Sequence, residues 1–278
     1  MKVAYQGEPG AYTEQAVLNY FDNPETIPCE TFDAVFALVE NGTADRGMVP
    51  IENSLAGSIH QNYDNLLRHA LYINGEYFLR VRHCLIGKPG VQRSQIKKVI
   101  SHPQALGQCA NYLRGLGVQV KPEYDTAGSV KMLVEMEDQT VAAIASRRAA
   151  EIYGMNVIEE GVEDDRENFT RFLEISTRSA KPAANAKTTV VFTLKHQPGS
   201  LFKALSVFAL RDIDLTKIES RPLPGTPWNY LFYIYLLGSE DDTVVKKALN
   251  HLEEYALMLR VFGSYPQARN VVEEVRKE

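Results

Sequence analysis

The chain has 278 residues, 45% of them hydrophobic and 23% charged, which excludes a disordered or collagen-like protein. Thirty Lys and Arg against thirty-five Asp and Glu give a net charge of −5, so no overall basic field points to nucleic acid. The three cysteines, Cys29, Cys84 and Cys109, are widely spaced and argue against a disulfide framework or a zinc site. The first strand runs directly into Gly7-Glu8-Pro9-Gly10, leaving no apolar region for a signal peptide, and no run reaches the ~18 apolar residues of a membrane span. A cytoplasmic protein with reduced thiols, off the membrane, is the expectation.

The stretch Thr177–Lys187 is small, polar and aperiodic and reads as a linker between domains over 1–176 and 188–278. Before it, strands and helices alternate. A strand over Lys2–Gln6 leads through a glycine-rich turn to a helix over Ala11–Phe21. Phe32, Val35, Phe36 and Val39 fall on one helical stripe, capped by Thr31 and ended by Gly42. A strand over Arg46–Ile51 follows. Strand Lys97–Ser101 pairs with helix Gln104–Leu116, strand Gln119–Lys121 with helix Gly128–Met136, and strand Val141–Ala145 with helix Arg147–Tyr153. An acidic turn from Asp164 enters a strand carrying Thr170 and Arg171, whose side chains point to opposite faces unless the strand is bulged. The alternation restarts near residue 75, which predicts two α/β lobes with a cleft. After the linker the order is βαββαβ, the ferredoxin-like split unit: strand Thr188–Lys195, helix Ser200–Leu210, strand Leu215–Arg221, a turn over Pro222–Pro227, strand Asn229–Leu237, helix Val244–Tyr255 and strand Met258–Tyr265.

The sequence has no G-x-S-x-G, H-E-x-x-H, P-loop or G-x-G-x-x-G, and its six histidines, His83 among them, lack metal-ligand spacing and read as structural. Neither a metal nor a cofactor is indicated. What remains is a set of polar strand-to-helix turns: Gln6–Thr13, Pro50–Ser58, Ser101–Gln104 with Gln108 beyond, and Asp125–Ser129. Each is rich in Ser, Thr, Asn, Gln or Gly and poor in lysine. Any one can be only a helix cap. Together they favour a small polyanion held by neutral donors at helix ends.

Tyr5-Gln6-Gly7 with Gly10-Ala11-Tyr12, Pro50-Ile51-Glu52-Asn53-Ser54, Ser101-His102-Pro103-Gln104-Ala105-Leu106 with Gln108-Cys109, and Asn168-Phe169-Thr170-Arg171-Phe172 together resemble prephenate dehydratase, in that family's order along essentially the whole chain. The resemblance implies a two-lobed, periplasmic-binding-protein-like catalytic domain that takes prephenate to phenylpyruvate with loss of CO2 and water, without a cofactor. It makes Thr170 the donor to the leaving hydroxyl and assigns Asn53, Ser101 and Gln108 to substrate carboxylates and hydroxyl. Thr126, Gly10, Ala11 and Phe172 are further binding candidates, with Phe172 placed mainly in packing. Arg171 either binds a carboxylate or braces the strand through Glu52.

The C-terminal part resembles the ACT regulatory domain. Glu219-Ser220-Arg221-Pro222 matches that domain's ESRP motif, while Gly199-Ser200-Leu201-Phe202 departs from GALV at its second and fourth positions. This resemblance implies L-phenylalanine as an effector bound between paired ACT domains near Gly199, Leu201, Glu219, Ser220, Arg221 and Pro222, and a homodimer or homotetramer joined through them. Three rivals stand beside this reading. One is arogenate as substrate, against which the missing transit peptide counts. Another is a non-catalytic two-lobed binding protein. The third is RNA binding by the βαββαβ unit, which twelve Lys and Arg against eleven Asp and Glu over residues 187–278 do not support.

Overall fold

The computed structural model describes residues 1–180, 185–223, 225–226 and 228–268. Part of the predicted linker (181–184), part of the predicted turn (Pro224 and Pro227) and the end of the predicted second domain (269–278) lie outside the described residues. Contacts divide the chain into two compact units, one of Met1–His69 with Tyr77–Leu173 and one of Ala70–Glu76 with the described residues from Glu174 onward.

The first unit is built from β1 (Lys2–Gln6), α1 (Tyr12–Tyr20), β2 (Glu25–Cys29), α2 (Phe32–Glu40), β3 (Arg46–Asn53), β4 (Gly57–Ser58), α3 (His60–Arg68) and β5 (Tyr72–Arg80), which enters it at Tyr77. It continues with β6 (Cys84–Gly87), β7 (Lys98–Ser101), α4 (Pro103–Gln108), α5 (Ala110–Leu116), β8 (Gln119–Pro122), α6 (Thr126–Glu135), β9 (Val141–Ala145), α7 (Arg147–Ile152), β10 (Asn156–Glu160) and β11 (Phe169–Ser176), which leaves it after Leu173. Two sheets result, in the orders β2-β1-β3-β11-β5 and β10-β6-β9-β7-β8. Both bear out the α/β expectation, with parallel pairs β1–β2, β1–β3, β7–β8 and β7–β9 beside antiparallel β6–β9 and β6–β10. The lobes are not consecutive halves of the chain, because β11 returns to the first sheet beside β3. One apolar core joins them: Val3, Tyr5, Met48 and Phe172 of the first sheet pack in the same cluster as Ile86, Ile100, Ala143 and Ala145 of the second. Burying the Val, Met, Ile and Phe side chains among these contributes about 1.5–3 kcal/mol each.

Local signals hold where the pattern is strong. Val35, Phe36 and Val39 of α2 are buried, and the Thr31 side chain accepts from Ala34 N at 3.2 Å. The predicted helix Gln104–Leu116 is instead two helices, broken at Cys109 (φ −118°, ψ 22°). Asp164 enforces the break. Its backbone N–H takes the Gln108 carbonyl at 2.8 Å, and its carboxylate accepts from Asn111 N at 2.9 Å and Tyr112 N at 3.2 Å. That is N-terminal capping supplied from far along the sequence.

The second unit holds β12 (Ala186–Leu194), α8 (Ser200–Ala209), β13 (Leu215–Pro222), β14 (Tyr230–Leu237), α9 (Thr243–Tyr255) and β15 (Ala256–Pro266). Its sheet runs β13-β14-β12-β15, antiparallel at every pairing, and is the expected ferredoxin-like unit. Val190, Phe192, Ile234 and Leu236 meet Ala204, Val207 and Phe208 of α8 and Val245, Ala248, Leu249 and Leu252 of α9 in one core. Lys187 Nζ lies 2.6 Å from Glu76 Oε1, with both side chains buried.

Candidate active site

The first unit contains a cavity of about 360 Å³, within the range of small-molecule sites. Its wall draws on all four turns that the sequence marks: Gln6 and Ala11–Thr13, Pro50 and Asn53, His102 with Gln104 and Gln108, and Asp125 with Thr126. Thr170 and Phe172 come from β11. No lysine or arginine lines the cavity among the described residues, and Asp125 is the one acid that does.

The helix starts differ in what they offer. Asp125 caps α6, its Oδ1 accepting from Gly128 N at 2.7 Å, and burial pushes its carboxyl up against that bond's downward pull. His102 caps α4, its Nδ1 accepting from Gln104 N at 3.2 Å. Ala11 provides no side-chain cap to α1, so the first-turn N–H groups of Tyr12 and Thr13 lack an intrahelical acceptor at the cavity wall. Those two N–H groups and the positive end of the helix form the best-placed anion donor there.

Asn53, at the end of β3, has its orientation fixed. Its Oδ1 accepts from Leu55 N at 3.1 Å and Ala56 N at 2.9 Å. Its Nδ2 therefore faces Asn168 Oδ1 at 2.8 Å, Phe169 O at 3.1 Å and Thr170 Oγ1 at 3.1 Å. Thr170 Oγ1 thus receives a hydrogen bond, which leaves its own hydrogen free to point elsewhere. Thr170 lines the cavity, so a substrate oxygen there is a natural acceptor.

The expected residues do not all converge. Asn53, Gln108, Ala11, Thr126, Thr170 and Phe172 line the cavity. Ser101 does not: it is fully buried and its hydroxyl donates to the Ile144 carbonyl at 2.5 Å, tying β7 to β9. Gly10 does not either. It sits at φ +93°, its N–H donates to Glu14 and its carbonyl accepts from Ser146 Oγ at 2.6 Å. It joins elements of the two lobes, and a Cβ there would lie 2.7 Å from Ala149 Cα. Arg171 is buried and lies outside the cavity lining, on the strand face opposite Thr170, as alternation requires.

Sequence reasoning misses His83, whose spacing reads as structural. His83 lines the cavity between Tyr12 and Gln108, with Nδ1 2.8 Å from the Tyr12 hydroxyl and Nε2 2.9 Å from Gln108 Oε1. Burial lowers its proton affinity, opposed by Gln108 and Glu163.

Residues 3–180 match the family model of prephenate dehydratase, and residues 188–254 match that of the ACT domain. The chain belongs to the prephenate dehydratase family. Membership makes it an enzyme of the lyase type with a C-terminal ACT domain. A relative in Arabidopsis thaliana, arogenate dehydratase/prephenate dehydratase 2, chloroplastic, is 50% identical over 277 residues, spanning 96% of this chain and 73% of the relative. The prephenate dehydratase of Arthrobacter aurescens, solved in complex with L-Phe, superposes at a TM-score of 0.88 with 32% identity, covering 96% of this chain and 90% of that one. A further solved chain, GqqA, described as a novel type of quorum quenching acylase, superposes at 0.90 with 34% identity, covering 96% and 98%.

In the ACT domain, a smaller cavity of about 130 Å³ is lined by residues that include Ser200, Leu201, Trp228 and Tyr230. Gly199 precedes α8 with φ +78°. Glu219, Ser220, Arg221 and Pro222 lie on β13, an edge strand of the sheet, and outside that cavity. No helix among the described residues is long and apolar enough to cross a membrane.

Proposed function

We propose that the cavity of the first unit converts prephenate to phenylpyruvate, with Thr170 as the hydrogen-bond donor to the departing ring hydroxyl. The observation that carries this reading is the Asn53–Thr170 pair, in which the fixed amide of Asn53 donates to Thr170 Oγ1 at 3.1 Å and frees the hydroxyl hydrogen for the cavity. In the reaction, the bond from the ring to its carboxylate breaks and its electron pair aromatises the ring as the C–O bond to the ring hydroxyl breaks. CO2 leaves, and the departing oxygen leaves as water once it has gained a proton. The wall of neutral donors suits this chemistry. Amide and helix N–H groups bind carboxylates without a cation paired to the one that must depart, so the ground state is not over-stabilised. Thr126 and the start of α1 at Ala11 hold the second carboxylate, and Phe172 packs beneath the ring. Gly10 and Ser101 serve this site by fixing the elements around it, and Arg171 braces β11.

One observation favours arogenate as a second substrate: Asp125, the single acid lining the cavity among the described residues, suits the ammonium group that arogenate carries in place of the side-chain carbonyl. Purified protein incubated with each compound, without metal or nucleotide, tests both readings through formation of phenylpyruvate or phenylalanine. Asp125→Asn should shift preference toward prephenate. Failure to turn over either compound would sink the dehydratase reading.

For the ACT domain we propose L-phenylalanine as effector, bound between two copies that meet at Gly199 and Leu201 and at Glu219–Pro222, in a homodimer or homotetramer. The edge position of β13 and the cavity beside Leu201 support this, since an edge strand leaves backbone groups open to pairing with a second copy's sheet. Sedimentation with and without L-phenylalanine tests it. The compartment we propose is the cytoplasm, consistent with three buried free thiols. For the domain borders we propose 1–176, a linker over 177–187 whose last two residues already form the start of β12, and 188–278.

A further inference from the structure

His83 spans two parts of the cavity wall that are remote in sequence, Tyr12 of α1 and Gln108 at the end of α4. It is 2% exposed. Its backbone is anchored: the N–H donates to Glu163 Oε2 at 2.8 Å, and the carbonyl accepts from Gly161 N at 2.8 Å and Val162 N at 3.1 Å. A buried neutral imidazole has one N–H. Gln108 Oε1, 2.9 Å from Nε2, is an acceptor only, so Nε2 carries that hydrogen. Nδ1 is then a lone pair facing the Tyr12 hydroxyl at 2.8 Å, and the phenol's single hydrogen is turned toward it, with the Arg82 carbonyl a further acceptor at 3.0 Å.

Gln108 needs this support. It is the last residue of α4, where Asp164 has broken the helix, and it is only half-buried. A free amide there is able to present either its oxygen or its nitrogen to a ligand. We propose that His83 is a positioning residue: by donating from Nε2 to Gln108 Oε1 it turns the amide N–H bonds of Gln108 into the cavity, so that this position recognises an anionic group of the substrate and rejects a donor. The inference rests on the dehydratase reading above for the identity of that group.

Two measurements on the full chain test it. Nitrogen-15 NMR of the imidazoles at neutral pH, with the His83 signals assigned by their loss in His83→Gln, should show the Nε2–H tautomer. An Nδ1–H tautomer overturns the proposal. Steady-state kinetics with prephenate supply the second readout. His83→Leu should raise KM by ~10–100-fold with a smaller change in kcat, the scale of one hydrogen bond to a charged group. His83→Gln, whose side-chain amide can replace Nε2–H, should stay within about fivefold of the wild type. The double variant His83→Leu/Gln108→Leu should be no worse than Gln108→Leu alone, since His83 acts through Gln108. Additive losses, or equal losses in both His83 variants, overturn it. If His83→Leu does not fold, the tautomer and His83→Gln decide. The NMR result needs no turnover, so an inactive wild type would strike the dehydratase reading and leave the tautomer to be judged by itself.

Discussion

The substitution Asn53→Asp changes one atom group and tests the orientation of Thr170. In that variant, the carboxylate oxygen facing Leu55 N and Ala56 N keeps both bonds, at 3.1 and 2.9 Å in the wild type. The other oxygen replaces Nδ2 and faces three acceptors, at 2.8 Å (Asn168 Oδ1), 3.1 Å (Phe169 O) and 3.1 Å (Thr170 Oγ1). Asn168 relieves the first by flipping its amide, whose Nδ2 is buried without a hydrogen-bond partner. The Phe169 carbonyl cannot adapt. Thr170 relieves the third only by turning its hydroxyl hydrogen onto the carboxylate, away from the cavity. The donor to the leaving hydroxyl is then lost, and kcat for phenylpyruvate formation, read as absorbance in alkali, should fall by ~10²–10⁴-fold. Thr170→Val should fall by a similar factor, and Thr170→Ser should retain most activity. Lowering the pH should partly restore Asn53→Asp, because the protonated carboxyl regains a donor for Thr170 Oγ1. A kcat within threefold of wild type in a folded Asn53→Asp variant would refute the assigned donor geometry.

Further expectations follow from packing and burial. Gly10→Ala combines a backbone at φ +93° with a Cβ 2.7 Å from Ala149 Cα, and should cost about 2–4 kcal/mol, lowering the thermal midpoint by roughly 5–10 °C in calorimetry. Lys187→Met removes the cation from the buried Glu76 carboxylate, which keeps its bond from Ala268 N, and should cost about 3–5 kcal/mol, while Lys187→Met/Glu76→Leu should recover most of that; equal stability of single and double variants in urea titrations would contradict it. Burial holds His83 below its ordinary value of 6.5, against the upward pull of Gln108 and Glu163. Below that value the unfolded chain takes up a proton that the folded chain refuses, so the stability tied to a neutral His83 is lost as pH falls from 6.5 towards the depressed value. His83→Gln should remove that part of the acid slope, and an unchanged slope would show that other groups account for it.

The contrast between Asn53 and His83 shows what sequence reading reaches. Asn53 was legible because it lies in a polar turn after a strand, where residue type and local position agree. The two lobes and the βαββαβ unit were legible for the same reason, since apolar period and turn residues name each element independently. His83 was not, because its role depends on partners 71 residues before it and 25 after it. The helix break beside Gln108 was hidden likewise, since Asp164 imposes it from a loop with no local signal in 104–116. Ser101 shows the converse error. A serine at the end of a strand reads as a site donor, yet its hydroxyl is sealed against Ile144.

These cases share one physical cause. The cavity is walled by segments far apart along the chain, so the side chains that orient its polar groups come from segments that the local pattern does not specify. Asn53 of β3 is set against Thr170 of β11, and Gln108 of α4 against His83 before β6. Each amide is turned so that a donor is what remains for the ligand. That arrangement lets a cavity wall without lysine or arginine, among the described residues, bind anions: the donors are pre-oriented by the fold, so little reorganisation is needed when the substrate arrives. A cation would bind more strongly but would hold the carboxylate that the reaction must release. The substitution Gln108→Lys should therefore lower KM for prephenate and lower kcat with it, and a rise in kcat would contradict this account of the neutral wall.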